Sequence, residues 1–201
     1  SDPHKLVSQV HRLLRESGTF YFLVPNLFVN PADLLVVDHI NHFSRSSLYH
    51  LLEGNGFTVR ELDDGVHTGA WVGVAEKGAT EASILPPDSV CAGVVDISTY
   101  WHTFSGRVEK FEKSGKDEAA IYGSGFYGTF IYTCLKQPER ITCFLDQNPH
   151  RQKQTLMGKR IIAPEALPES IRRLYVGLNP SVAHEVLDGL DWGRALEVFY
   201  P

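Results

Sequence analysis

The stretch "IYGSGFYGTF", Ile121 to Phe130, decides how the second half of this chain is read. Its glycines at 123, 125 and 128 have the G-x-G-x-x-G spacing. The apolar "EAAI" before them predicts a strand, and "FYGTFIYTCLKQ" after them predicts a helix. In such a turn the first glycine makes the bend and the second lets backbone N–H groups approach an anion. The third lets helix lie close on strand, and the helix N-terminus favours negative charge. Asp146 ends the next expected strand, "RITCFLD", about twenty residues on, where its carboxylate could accept hydrogen bonds from ribose or sugar hydroxyls. Gly123, Gly125, Gly128 and Asp146 are therefore candidate nucleotide- or anion-binding residues.

Further along, "KRIIAPEAL" reads as a short strand entering a loop, "RRLYVGL" as a strand and "SVAHEVLDGL" as a helix. Alternating strand and helix implies a parallel sheet with helices on its faces. An NAD-dependent oxidoreductase would use the same turn. The run after Asp146, "QNPHRQKQTLMGKRIIAPEAL", does not look like a complete NAD domain, so a nucleotide or nucleotide-sugar is the preferred ligand class.

Before the turn, from roughly Ser89 to Ser114, the residues Val94, Ile97, Trp101, Phe104, Val108 and Phe111 recur at helical steps. They predict one long connecting helix, preceded by a loop, "ATEASILPPDS". Nearer the N-terminus, Asp2 and Pro3 open a helix with an expected stripe of Leu6, Val10, Leu13 and Leu14. "TFYFLVPN" follows as a strand stopped by Pro25-Asn26. Ser44 caps a second helix whose core face is Leu48, Leu51 and Leu52. "FTVRELDD" and "AWVGVAEKG" predict an antiparallel pair. A helix with no strand ahead of it is an unusual start for an α/β domain, and suggests a piece of a longer protein.

Composition narrows the function classes. The net charge is −5 and the basic residues are dispersed, whereas a nucleic-acid partner calls for a basic stripe. No apolar run is long enough to span a bilayer. The three cysteines, Cys91, Cys134 and Cys143, are unpaired in spacing and read as buried free thiols of a cytoplasmic protein rather than a zinc site.

A second candidate centre lies in "VVDHINHFSRSSLYHLLEGNGF", Val36 to Phe57, which sets Asp38, His39 and His42 before the helix at Ser44. A metal needs three ligands on one face and a fixed fourth position; no second ligand group is evident, so no metal site is expected. The histidines either cap the helix and bond to backbone or face a substrate. Asn26, at the end of its strand, is either a turn-former or a substrate contact at the carboxyl edge where α/β ligands bind.

Four segments in order carry a resemblance. "DPHKLVSQVHRLLRESGTFYFLVPN" resembles the late part of a class I S-adenosylmethionine-dependent methyltransferase, where a helix and turn lead into a fifth strand ending in "vPN". "DHINHFSRSSLYHLLEGNGF" is similar to the segment that follows it there. "VHTGAWVGVAEK" resembles the hairpin closing the sheet in sugar C-methyltransferases. "AIYGSGFYGTFIYTCLKQPERITCFLDQNPHRQKQTLMGKRIIAPEAL" is similar to that family's C-terminal Rossmann-like domain. Two positions depart from the pattern: Val36 stands where those enzymes carry a tyrosine three residues before the histidine, and Tyr127 stands at the lysine of the glycine turn.

The resemblance implies an α/β chain in three parts. Residues 1–80 would be the C-terminal half of a methyltransferase domain, 81–117 a linker and connecting helix, and 118–201 a Rossmann-like domain. It makes His39 a candidate general base, with Asp38 or a neighbouring group orienting it, and Asn26, His42 and His67 candidate substrate contacts. S-adenosylmethionine would be the cofactor of the intact parent. Its glycine loop would precede Ser1, so none is expected to bind this chain tightly, and this chain alone should not turn over. The partner would be a small molecule, including a nucleotide-sugar, with no nucleic acid and no membrane. The alternative function is a non-catalytic nucleotide-sugar-binding or scaffold module.

Overall fold

The computed structural model describes residues 2–78 and 90–201. The loop expected at 79–89 lies outside the described residues. The chain divides into two compact units, Ser1–Ile97 and Ser98–Pro201.

In the first unit, α1 spans Pro3–Leu13, with Asp2 accepting from the backbone N–H groups of His4 and Lys5. Two strands follow around the helix α2: β1 at Thr19–Pro25, α2 at Arg45–Glu53 and β2 at Phe57–Asp63. β3, Ala70–Lys77, closes the unit by inserting antiparallel between the other two, giving the order β1-β3-β2. Alternation along the strands sends Phe20, Phe22 and Val24 of β1 and Trp71 and Ala75 of β3 to one face. There they pack with Leu48, Leu51 and Leu52 of α2 and Val7 of α1. Tyr21 and Leu23 alternate to the opposite side and stay exposed.

The expected stripe on α1 is corrected. Val7, Val10 and Leu14 face the core, while Leu6 is exposed and Leu13 is 87% exposed. The two leucines are seven residues apart and share a helix side of their own. α2 follows its expectation: Ser44 and Ser47 exchange a reciprocal capping box, and Leu48, Leu51 and Leu52 are buried.

The described part of the long helix, α3, runs Val90–Ser114. Phe104 and Val108 are fully buried, but Val94, expected in its core face, is 45% exposed. The second unit then alternates strand and helix: β4 Ala119–Tyr122, α4 Phe126–Cys134, β5 Ile141–Leu145, the hairpin β6 Thr155–Leu156 and β7 Lys159–Ile162, β8 Arg173–Val176, α5 Pro180–Asp188 and β9 Glu197–Phe199. The sheet order is β6-β7-β5-β4-β8-β9, parallel except for the β6–β7 hairpin. β4 is first in sequence and central in space, so the strand order reverses across it.

Every residue of β4 is buried, as a central parallel strand covered on both faces requires. Ala119 and Ile121 pack with Phe104 and Val108 of α3 and Ile131 of α4. Ala120 and Tyr122 pack on the other face with Ala183 and Leu187 of α5. This is the α/β architecture expected from the alternating pattern. Arg173, buried in β8, ties the layers together. Its guanidinium lies over Phe111 at 4.4 Å, pairs with Glu197 at 2.9 Å and donates to the Phe111 carbonyl and to Ser114 Oγ at 3.1 Å.

Candidate functional site

The loop leaving β1 is built on Asn26. That residue is 1% exposed, and its Oδ1 accepts from the Phe28 N–H at 3.1 Å while its own N–H donates to the Gly69 carbonyl at 2.9 Å. Its carbonyl takes the N–H groups of Val29 and Asn30. Asn26 is thus a buried turn-former that also fastens this loop to the turn before β3. Asn30 precedes a 3-10 turn, Pro31–Leu34, in which Asp33 is 2% exposed.

Asp33 is the residue that sequence reasoning missed. Its Oδ1 accepts from Asn30 Nδ2 at 2.9 Å and lies 3.1 Å from Nδ1 of His39. Its Oδ2 is buried with no partner among the described residues. His39 is 36% exposed at the side chain, so one edge of its ring rests on a buried carboxylate. The carboxylate beside the His39 ring is that of Asp33 and not of Asp38, which is exposed and makes no hydrogen bond or ion pair with the described residues.

The chain after His39 is pinned at its far end. The Trp71 indole donates to the Phe43 carbonyl at 3.2 Å, and Arg45 stacks over Trp71 while donating to the Leu62 carbonyl at 3.0 Å. Ser44 then begins α2. His42 does not join His39. It lines an open groove of about 420 Å³ with His4, His50, Ile40, Phe43 and Leu51, between the start of α1 and α2. His67 lies on the surface of the β2–β3 turn. That turn is shaped by Asp63, which accepts from the N–H groups of Val66 and Gly65, each at 2.7 Å. These bonds hold its carboxyl below the ordinary value. No group of three His, Cys, Asp or Glu able to hold a metal occurs among the described residues.

In the second unit the glycine turn lies between β4 and α4, where the strand order reverses. A Cβ on Gly128 would overlap the carbonyl oxygen of Gly123, and one on Gly123, whose φ is +95°, would overlap that of Gly177. A Cβ on Gly177 would in turn run into the Gly128 backbone. Three glycines therefore bring α4 against the ends of β4 and β8, and Gly177 is the member that the motif does not contain. Gly125 differs: a Cβ there meets nothing within 4 Å, and as the α4 N-cap it offers no side-chain bond to the helix.

Asp146 is bound to the turn itself. Its Oδ2 accepts from the Ser124 hydroxyl and, at 3.1 Å, from the Ser124 N–H, while its Oδ1 accepts from the Asn148 N–H at 2.9 Å. Arg151 donates to the Ser124 carbonyl at 2.7 Å. Burial pushes the Asp146 carboxyl up, but the Ser124 hydroxyl, the two N–H groups and the Arg151 charge outweigh it and hold it below the usual value. Both oxygens of the expected sugar-binding carboxylate are thus engaged within the protein.

The cysteines form no disulfide. Cys143 is buried and Cys134 half-buried, and burial pushes both thiols up, away from the reactive thiolate. Cys91, expected to be buried, is exposed. No helix among the described residues is long and apolar enough to cross a membrane. No family model and no curated protein matches the chain.

Proposed function

We propose that this chain is the base-bearing end of an S-adenosylmethionine-dependent methyltransferase acting on a small molecule of the nucleotide-sugar type. The observation that carries the reading is the seating of His39: a half-exposed imidazole on a buried carboxylate, in the loop leaving the carboxyl end of β1. In the fold that the resemblance implies, β1 would also border a parallel sheet, whose ligands bind at the carboxyl ends of its strands. Two further features support it. β3 folds back between β1 and β2, as a hairpin closing a sheet does, and among the described residues β1 is paired by β3 alone.

In the first unit no described glycine-rich turn links a strand to a following helix, so the reading assigns the His39 loop no part in holding the methyl donor. The part assigned to this chain is proton removal. Nε2 of His39 takes the proton from the substrate carbon or hydroxyl, and the electron pair of the broken bond stays on that atom. Imidazole suits this because its ordinary pKa lies near working pH. Taken by itself, the turn of the Rossmann-like unit would receive an anionic group of a nucleotide-sugar near Gly125, the glycine of the motif with open space beside it.

Calorimetry of this chain against S-adenosylhomocysteine, NADH and a panel of nucleotide-sugars tests the assignment. The reading expects binding of a nucleotide-sugar, weakened by Gly125→Val, and none of the other two. Binding of NADH alone would point to redox chemistry at the turn, and micromolar binding of S-adenosylhomocysteine would overturn the division of labour.

A further inference from the structure

We infer that Asp33 is a positioning residue for His39, fixing the neutral ring with its proton on Nδ1 and its lone pair on Nε2. The inference rests on the reading of His39 as a base, and deepens it by naming the group that prepares it.

An ionised carboxylate has only acceptor atoms. Oδ1 of Asp33 lies 3.1 Å from Nδ1 of His39, so that nitrogen must donate. The remaining nitrogen, Nε2, is then the acceptor. An unrestrained histidine in water favours the opposite tautomer, with the proton on Nε2, in which this nitrogen cannot accept a proton. The carboxylate therefore selects the form of the ring that can act.

Asp33 is held for this task. Asn30 Nδ2 donates to the same Oδ1 at 2.9 Å, and the Asp33 N–H donates to the Asn30 carbonyl at 3.0 Å, so the acid is fixed from both side chain and backbone. Asn30 in turn hangs from the Asn26 carbonyl. His39 is fixed by its own N–H, which donates to the Val36 carbonyl at 3.0 Å.

The second oxygen is informative. Oδ2 of Asp33 is buried with no partner among the described residues, an arrangement that costs stability and that an apolar side chain at position 33 would avoid. A negative charge only partly satisfied by its neighbours favours the imidazolium formed when Nε2 accepts a proton, as the buried acid of a catalytic dyad does. Packing alone gives no reason to retain it.

Long-range ¹H–¹⁵N spectra of the ¹⁵N-labelled chain, recorded between about pH 6 and 9, read the tautomer directly; His39→Gln identifies the signals. The neutral ring is expected to carry its proton on Nδ1. Asp33→Leu has a similar shape and no acceptor, so the neutral ring is released and its proton should move towards Nε2. A wild-type neutral ring protonated on Nε2 overturns the inference without any variant, so it stays testable even if Asp33→Leu fails to fold. A folded Asp33→Leu with the wild-type pattern also overturns it. In methyl-transfer assays of the full natural chain, Asp33→Leu should lower kcat about 10²-fold with KM unchanged. Failure of the base reading shows elsewhere, as wild-type transfer by His39→Gln, whatever the spectra give.

Discussion

The hydroxyl of Ser124, the second residue of the glycine turn, donates to the carboxylate of Asp146 at the end of the neighbouring strand, and the Ser124 N–H joins it at 3.1 Å. The acid that a dinucleotide-binding turn would offer to a ribose instead braces the turn. Its loss should therefore be felt first as stability, and with a definite pH dependence. The folded-state pKa of Asp146 is depressed, so its contribution is complete above the unfolded value of about 3.9 and is lost as pH falls through the folded value. Denaturant unfolding should show a constant gap between wild type and Asp146→Asn above about pH 5 that narrows below it. Equal slopes in acid for the two proteins would show that the carboxylate is not braced.

The glycines of the turn separate by cause. Gly128→Ala forces a methyl group into the Gly123 carbonyl and should cost about 1–3 kcal/mol or more. Gly125→Ala meets open space and should cost under about 1 kcal/mol. Similar losses for both would mean that Gly125 also packs against protein.

Arg173→Ala removes the ion pair with Glu197, the stacking on Phe111 and a bond to a carbonyl of α3. Since Glu197 is half exposed and regains water, the loss should be about 2–3 kcal/mol. Glu197→Gln alone should cost under about 1 kcal/mol. Chemical denaturation of the two variants orders them, and an equal cost would place the energy in the ion pair rather than in the buried clamp.

The hairpin between β6 and β7 turns on Met157 and Gly158, both with positive φ, 51° and 75°. This is the turn that prefers Asn-Gly, and Met157 is 44% exposed. Met157→Asn should raise stability by about 0.5–1 kcal/mol by relieving left-handed strain. A lower melting temperature would show that the methionine side chain contributes packing.

What could be read in advance followed from local physics. Ser44 with leucines at 48, 51 and 52 specifies α2, because a cap and a helical apolar period agree. The strand, glycine turn and helix around Gly123 were legible for the same reason, and the parallel sheet followed from alternation. The β6–β7 hairpin was not, since methionine does not advertise a left-handed turn. Asp33 was hidden because Asp38 lies beside His39 in sequence, whereas the true partner reaches it through a 3-10 turn six residues away. The trace it leaves is "NPAD", where Asn30 and Asp33 bracket a proline that starts a turn. Gly177 was hidden because its partners are brought together only by the sheet.

The most direct test of the central claim is transfer of labelled methyl groups from S-adenosylmethionine to nucleotide-linked sugars by the full natural chain, with and without His39→Gln. The account predicts transfer by the wild type and a loss of about 10² to 10⁴ in kcat for the variant, with S-adenosylhomocysteine binding unchanged. Transfer by the variant at the wild-type rate, or no transfer by the wild type to any sugar of the panel, would contradict it.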